Sequence, residues 1–385
     1  MYHKKRVFWA ACMGMLLFGI AMISLGTIHL YLTQKFNLDA LTVGSLAALL
    51  PLGILAGSVI FGPLVDRFGY RFPLIIFTLI LILGIEMIAL TEWFFTVQLA
   101  FFLIGFGGGV INGGTNALVS DISTGGKGAN LSLLGVFFGI GALGMPAVLQ
   151  LLSRYFETAL VVRVIGLVIC VPVVYFSLIR FPEPKQRQGF PVRKSLALFR
   201  DYTIVMLGLV LFFQSGVEGI VNNWTTSFLK NGFEREVLFA LSVYMASLTI
   251  ARLVLGVVLK KVHSYLVLVG SIAIAILGSL ILMVATRLTI ALSGLILLGF
   301  GFAAVFPVIY AYVGTLYAEI SGTAFSFVLV IALTGNTLLN YLTGAVSNSG
   351  GIQLMPLILL GALVIMFTLV VIVIGQIVKR AKLQV

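Results

Sequence analysis

Only 12 of the 385 residues are acidic, and one of them, Glu218, stands inside a long apolar run with polar neighbours at helical spacing. Gln214, Glu218 and Asn222 are four apart, so a helix places them on one face. Asn223 and Trp224 follow directly. An ionisable side chain in a membrane helix costs several kcal/mol unless it is paired, wetted or neutralised. Glu218 therefore reads either as a binder of a sugar hydroxyl, a proton or Na⁺, or as a protonated carboxyl bonded to a neighbouring helix.

Amide pairs recur at the same spacing. Asn112 and Asn116 form one, and Asn336 and Asn340, continued by Thr343, form another. Amides donate and accept, which suits a polyhydroxylated ligand; they also bond helix to helix inside membranes. Trp224 offers a ring on which a sugar C–H face can stack, although Trp also anchors helices at membrane interfaces. Tyr310 and Tyr312 can contact a sugar or fill space. Ser24, Thr27 and Tyr31 share a face, and His29 is a lone histidine that packs at an interface or carries a proton. His3, His29 and His263 are too scattered for a metal site. The glycine-rich stretch 105–114 lies within an apolar run and lacks a P-loop Lys-Ser/Thr. Cys12 and Cys170 lie in apolar runs, as small packing residues do. No enzyme, metal site or cofactor is expected.

The elements that must position these residues follow from composition. Apolar residues make up 61% of the chain and charged residues 9%, far from the roughly 25% charged of a soluble domain. A membrane span needs about 20 apolar residues. Such runs occur at 8–32, 43–65, 72–91, 94–120, 130–152, 159–180, 203–228, 236–259, 264–286, 288–314, 322–346 and 352–378. Lipid cannot satisfy backbone polar groups, so each run is expected to be a helix, and the alternation of a β-barrel is missing. The first run follows Lys4, Lys5 and Arg6 but is too long for a signal peptide. The predicted class is all-α membrane protein with twelve spans, divided into a six-helix half at 1–181, a polar linker at 182–202 and a second six-helix half at 203–385. With the N-terminus inside, inner segments hold 17 of the 24 Lys and Arg and outer segments five. That bias puts both termini in the cytoplasm and explains the net charge of +12 by the lipid bilayer, without a nucleic-acid partner.

The halves repeat. A gapless shift of 194 residues carries Gly62 onto Gly256, Gly84 onto Gly278, Gly105 and Gly107 onto Gly299 and Gly301, Gly128 onto Gly322, Ser132 onto Ser326 and Gly141 onto Gly335. Duplicated six-helix halves are a transporter architecture, with the solute site near the membrane midplane.

Between the second and third runs stands Gly62-Pro-Leu-Val-Asp-Arg-Phe-Gly-Tyr-Arg71. It resembles the G-x-L-x-D-R-x-G-x-R loop of the major facilitator superfamily. The resemblance implies that the seventh span lines a central cavity and the third is peripheral. It also implies a latch in which Asp66, Arg67 and Arg71 join Asp121 and Lys127 to favour the outward-open state. The second copy carries Lys260 and Lys261 in place of Asp66 and Arg67. The stretches 107–121, 128–146 and 211–229 resemble the fucose/glucose/galactose permease branch, implying a hexose-type substrate carried by a monomer in a bacterial inner membrane. Where proton-coupled fucose permeases are expected to carry membrane carboxylates, this chain has Gly26 and Asn112, leaving Glu218 as the group for H⁺ or Na⁺ coupling. The expected substrate residues are Asn112, Asn116, Gln214, Glu218, Asn222, Asn223, Trp224, Tyr310, Asn336 and Asn340. Glu86 is expected to be alone, neutral or snorkelling on the third span, and Arg252 to pair with Glu319. The alternatives are an exporter of amphipathic drugs or metabolites, whose amide stripes would face other helices, and a receptor or enzyme subunit that moves nothing.

Overall fold

The structure, a computed structural model, describes residues 2–37, 40–184, 198–232 and 238–382. Most of the expected linker, with Lys185, Arg187, Arg193 and Lys194, lies outside the described residues, as do the side chains of Thr27 and His29. Among the described residues twelve segments are long and apolar enough to cross a membrane, and there is no strand.

The first five spans are single helices: α1 (Lys4–Phe36), α2 (Ala40–Phe68), α3 (Arg71–Leu90), α4 (Phe94–Ile122) and α5 (Lys127–Leu152). The sixth is divided into α6 (Thr158–Val168) and α7 (Cys170–Leu178). Then come α8 (Tyr202–Gly232), α9 (Leu238–Lys261) and α10 (Ser264–Met283). The tenth span is divided into α11 (Leu288–Phe302) and α12 (Val305–Leu316), followed by α13 (Ser321–Gly350) and α14 (Met355–Lys382). Each division has a proline close behind it, Pro172 and Pro307, which removes an N–H from the helical ladder. Gly69 closes α2 at φ +74, its N–H donating to Val65 O at 2.8 Å. A left-handed residue at that place favours glycine, which accounts for one fixed glycine of the loop signature.

The packing resolves into two compact units. One comprises Met1–Ile122, Phe137–Val192 and Tyr317–Ser326; the other comprises Ser123–Val136, Arg193–Leu316 and Phe327–Val385. In the first unit α4 lies against α2 and α3 through glycines. A Cβ on Gly105 would overlap Leu50 O and meet Ile54 N, and one on Gly84 would meet Ala100 O and Ile104 N. In the second unit a Cβ on Gly299 would meet Tyr244 O and Leu248 N, and one on Gly278 would meet Gly294 O and Leu298 N. Adding 194 to each residue of the first set gives the second. The repeat read as glycine identities is thus a repeat of backbone-to-backbone contacts, which only small residues permit.

Candidate substrate and coupling site

The second unit brings two of the predicted amide stripes together, along the seam of α8 and α13. Glycine makes the approach possible: a Cβ on Gly219 would overlap the amide of Asn340 and come within 2.6 Å of Asn336 Nδ2. Across the seam Asn336 Nδ2 donates to Ser215 O at 2.8 Å. Asn340 Oδ1 accepts from Asn223 Nδ2 at 3.0 Å and from Trp224 Nε1 at 3.1 Å. Asn340 Nδ2 in turn donates to Asn336 O at 2.8 Å and to Asn336 Oδ1 at 3.2 Å. The indole is therefore held by its N–H, and its far edge lies against Gly344. Thr343, buried, bonds its own helix at Leu339 O.

One helical turn away, fully buried Gln214 donates through Nε2 to Glu218 Oε1 at 2.9 Å and to Phe302 O at 3.4 Å. Phe302 ends α11, where the division of the tenth span leaves carbonyls without helical donors. Gln214 thus bonds a broken helix end and the carboxyl at once. Its Oε1, Asn222 Oδ1 and Tyr244 Oη are buried and accept or donate nothing among the described residues. Arg252, Tyr244 and Tyr310 belong to the same unit and are buried. Tyr244 was not among the predicted site residues; it sits where the repeat places Leu50 in the first half, and nothing in an apolar run marks it out.

In the first unit Asn112 and Asn116 are buried on α4. Asn116 Nδ2 donates to Asn112 O at 2.9 Å and Asn112 Oδ1 at 3.0 Å. That leaves Asn112 Nδ2 as a donor and Asn116 Oδ1 as an acceptor with no protein partner among the described residues. Such a pair presents both hydrogen-bond polarities side by side.

The loop acids are organised around the start of α13. Asp66 is 1% exposed and accepts from Gly322 N at 3.2 Å, Thr323 N at 2.8 Å and Thr323 Oγ1 at 2.6 Å. A carboxylate there satisfies helix-terminal N–H groups and meets the positive end of the helix dipole. Asp121 accepts from Ser321 Oγ at 2.8 Å and from the Tyr70 hydroxyl. Burial, and then the charge of Asp121, push the Tyr70 phenol well above its usual range. Of the cations of the expected latch, Arg71 donates to Ser177 O, Lys127 donates to Gly314 O at 2.9 Å, and Arg67 lies 5.1 Å from the Phe68 ring. Tyr70, Ser321 and Thr323 were missed, although Ser321-Gly-Thr323 at the head of a span has the composition of a helix start.

One further expectation changes. Glu86 is not alone: Arg163 Nε stands 3.8 Å from its Oε2, and a notch at Gly166 gives the carboxyl room. Arg252, 9% exposed, donates through Nη1 to Gly135 O at 3.2 Å, and its own carbonyl accepts from Ser132 Oγ at 2.7 Å.

The family model described as Major Facilitator Superfamily matches residues 10–328. The chain belongs to the major facilitator superfamily. It is an integral, multi-pass membrane transporter, not an enzyme. A similar characterised protein is the glucose/mannose transporter GlcP of Bacillus subtilis (strain 168), 22% identical over 355 residues, spanning 87% of this chain and 86% of that protein. Among solved structures, the transporter FucP in the outward conformation superposes with a TM-score of 0.80 at 18% identity, covering 95% of this chain and 98% of that one. FucP is the fucose:proton symporter of E. coli. The proton:xylose symporter XylE, bound to 6-bromo-6-deoxy-D-glucose, gives 0.79 at 15% identity, covering 95% and 94%. Both structural likenesses are likenesses of fold.

Proposed function

We propose that this facilitator carries a monosaccharide, a hexose or deoxyhexose, across a bacterial inner membrane by alternating access, as a monomer with both termini cytoplasmic. Uptake is coupled to H⁺ or Na⁺ through Glu218. The observation that supports this reading most is the α8–α13 seam. It combines a carboxyl, amides with unused donors and acceptors, and an indole held by its N–H. That composition suits sugar hydroxyls on one side and a sugar C–H face on the other. Within the first unit, Asn112 and Asn116 present a donor and an acceptor of their own. The glucose/mannose transporter GlcP, the fucose:proton symporter FucP and the proton:xylose symporter XylE point the same way.

A second reading, export of an amphipathic solute, draws support from Asn336 and Asn340, whose amides bond within the protein. A thermal-shift screen of the purified transporter separates the two. Stabilisation by hexoses or deoxyhexoses at millimolar concentration, and none by amphipathic drugs, is expected; the opposite pattern selects the exporter.

A further inference from the structure

The tenth span is broken, and the fourth, its counterpart at a shift of 194 residues, is not. α4 runs unbroken from Phe94 to Ile122, whereas α11 stops at Phe302 and α12 begins at Val305. Two polar side chains accompany the break. Gln214 and Glu218 stand on α8 where the first half has Ile20 and Ser24, and Phe302 stands where it has Gly108. Ser24 is satisfied within its own helix, Oγ to Ala21 O at 2.8 Å. One half thus sets an apolar side chain, a small hydroxyl and a continuous helix at these places. The other sets an amide, a carboxyl and a helix end.

These three groups touch. Gln214 Nε2 donates to Glu218 Oε1 at 2.9 Å and to Phe302 O at 3.4 Å. Glu218 lies fourteen residues from Gly232 at one end of α8, and Phe302 fourteen from Leu288 at one end of α11. At the helical rise that is about 21 Å in each case, so the groups meet deep within the spans. The carbonyl belongs to the last residue of α11, where the negative end of the helix dipole favours a cation. Glu218 forms no salt bridge among the described residues, and its Oε2 makes no hydrogen bond among them. An ionised carboxyl at such depth calls for a compensating positive charge.

Gln214 supplies a third oxygen. Its Oε1 is buried and accepts nothing among the described residues. Turning the amide over about its terminal torsion, which has two broad wells, exchanges Oε1 with Nε2. An oxygen then stands where 2.9 Å separates it from Glu218 Oε1 and 3.4 Å from Phe302 O. Three oxygens so placed repel one another unless a cation lies between them. Adjacent oxygens in an octahedral shell of radius about 2.4 Å are about 3.4 Å apart, close to the spacing found. One carboxylate among neutral oxygens balances a single positive charge, and K⁺ needs a wider shell. A proton needs the carboxyl alone and has no use for a freed carbonyl or an amide oxygen, whereas the carbonyls of a broken membrane helix are ready ligands for Na⁺.

We infer that Glu218 Oε1, Gln214 Oε1 and Phe302 O form a Na⁺ site at the break of the tenth span, with Gln214 turning its amide over to admit the ion. This names the ion of the proposed transport cycle and rests on the reading of Glu218 as its coupling group.

The test is the thermal midpoint of the purified full-length transporter at pH 8, without sugar, as NaCl replaces KCl at constant ionic strength. A saturable rise with Na⁺ is expected, because an ion that binds the folded state stabilises it. Glu218→Gln is expected to abolish the rise. Gln214→Met, which keeps the side-chain length and loses the oxygen, is expected to weaken the apparent Na⁺ affinity about tenfold, by about one polar contact. Glu86→Gln, which removes the carboxyl of α3, should respond as wild type does. Absence of a Na⁺-specific rise in wild type overturns the proposal, whether or not the variants fold. A wild-type response in Glu218→Gln or in Gln214→Met overturns it as well. Gradient-driven sugar uptake is read separately. If a pH gradient drives uptake through Glu218 while Na⁺ gives no rise, the Na⁺ site falls and the coupling role of Glu218 stands. If Glu218→Gln loses the Na⁺ response and still accumulates sugar as wild type does, the site stands and the coupling role falls.

Discussion

Replacing Asp66 by Asn exchanges a carboxylate for an isosteric amide at the start of α13. The carboxylate accepts three hydrogen bonds there, two from backbone N–H groups and one from Thr323 Oγ1. In the amide, one oxygen becomes an NH₂ that faces donors with a donor. A hydrogen bond to a charged group contributes about 1.5–3 kcal/mol, and a negative charge at a helix N-terminus about 0.3–1 kcal/mol or more when buried. Losing one such bond and the charge removes about 2–4 kcal/mol in total. At 1.4 kcal/mol per factor of ten, local opening becomes roughly 30- to 700-fold more frequent. Exchange mass spectrometry on the peptide holding Gly322 and Thr323 reads this directly. Asp121→Asn is the control, because Asp121 accepts from side chains and not from these amides. Exchange within threefold of wild type in Asp66→Asn would refute the argument that a helix cap holds this loop.

Gly105→Ala is expected to lower the thermal midpoint sharply and reduce yield, because the new methyl overlaps the Leu50 carbonyl and backbone cannot yield to it; overpacking of this kind costs about 1–3 kcal/mol or more. Tyr70→Phe is expected to reduce alkaline sensitivity. The Tyr70 phenol is held protonated in the folded state, by burial and then by Asp121, whereas an unfolded phenol ionises near pH ~10. The stability it contributes is present below that pH and lost as pH rises beyond it, so the wild-type and variant midpoints should converge between pH 9 and pH 11.5. Asn340→Ala removes the acceptor shared by Asn223 and Trp224; KM for the transported sugar should rise about tenfold, from loss of about one hydrogen bond's worth of indole positioning, with a small change in kcat.

The spans were legible because a hydrophobic thickness imposes a length on every one, and the repeat because glycine contacts constrain glycine identity at equivalent places. The amide stripes could be read as faces, since period-four spacing needs no tertiary knowledge. Which face meets which helix could not. Asp66 finds its partners at Gly322 and Thr323, more than 250 residues away, and no local pattern specifies that pairing. The gapless repeat held an unused clue: it sets Gly62 opposite Gly256 and Gly128 opposite Gly322, and Gly62 packs on Gly322 and Thr323 while Gly256 packs near Ala129. Glu86 was read as solitary because its partner Arg163 lies on α6, five residues into a span that shows no spacing relation to α3. The arginine's hold on Gly135 was invisible for a related reason, since a backbone acceptor has no sequence signature.

The measurement closest to the central claim is sugar accumulation in sealed proteoliposomes under imposed pH or Na⁺ gradients, with wild type and Glu218→Gln side by side. Wild type is expected to concentrate a hexose or deoxyhexose against its gradient under one of the two ions. Glu218→Gln is expected to keep sugar exchange at equilibrium while losing the gradient-driven accumulation. Accumulation by Glu218→Gln equal to wild type would contradict the assignment of coupling to this carboxyl, and failure of wild type to move any hexose or deoxyhexose would contradict the assignment of the substrate.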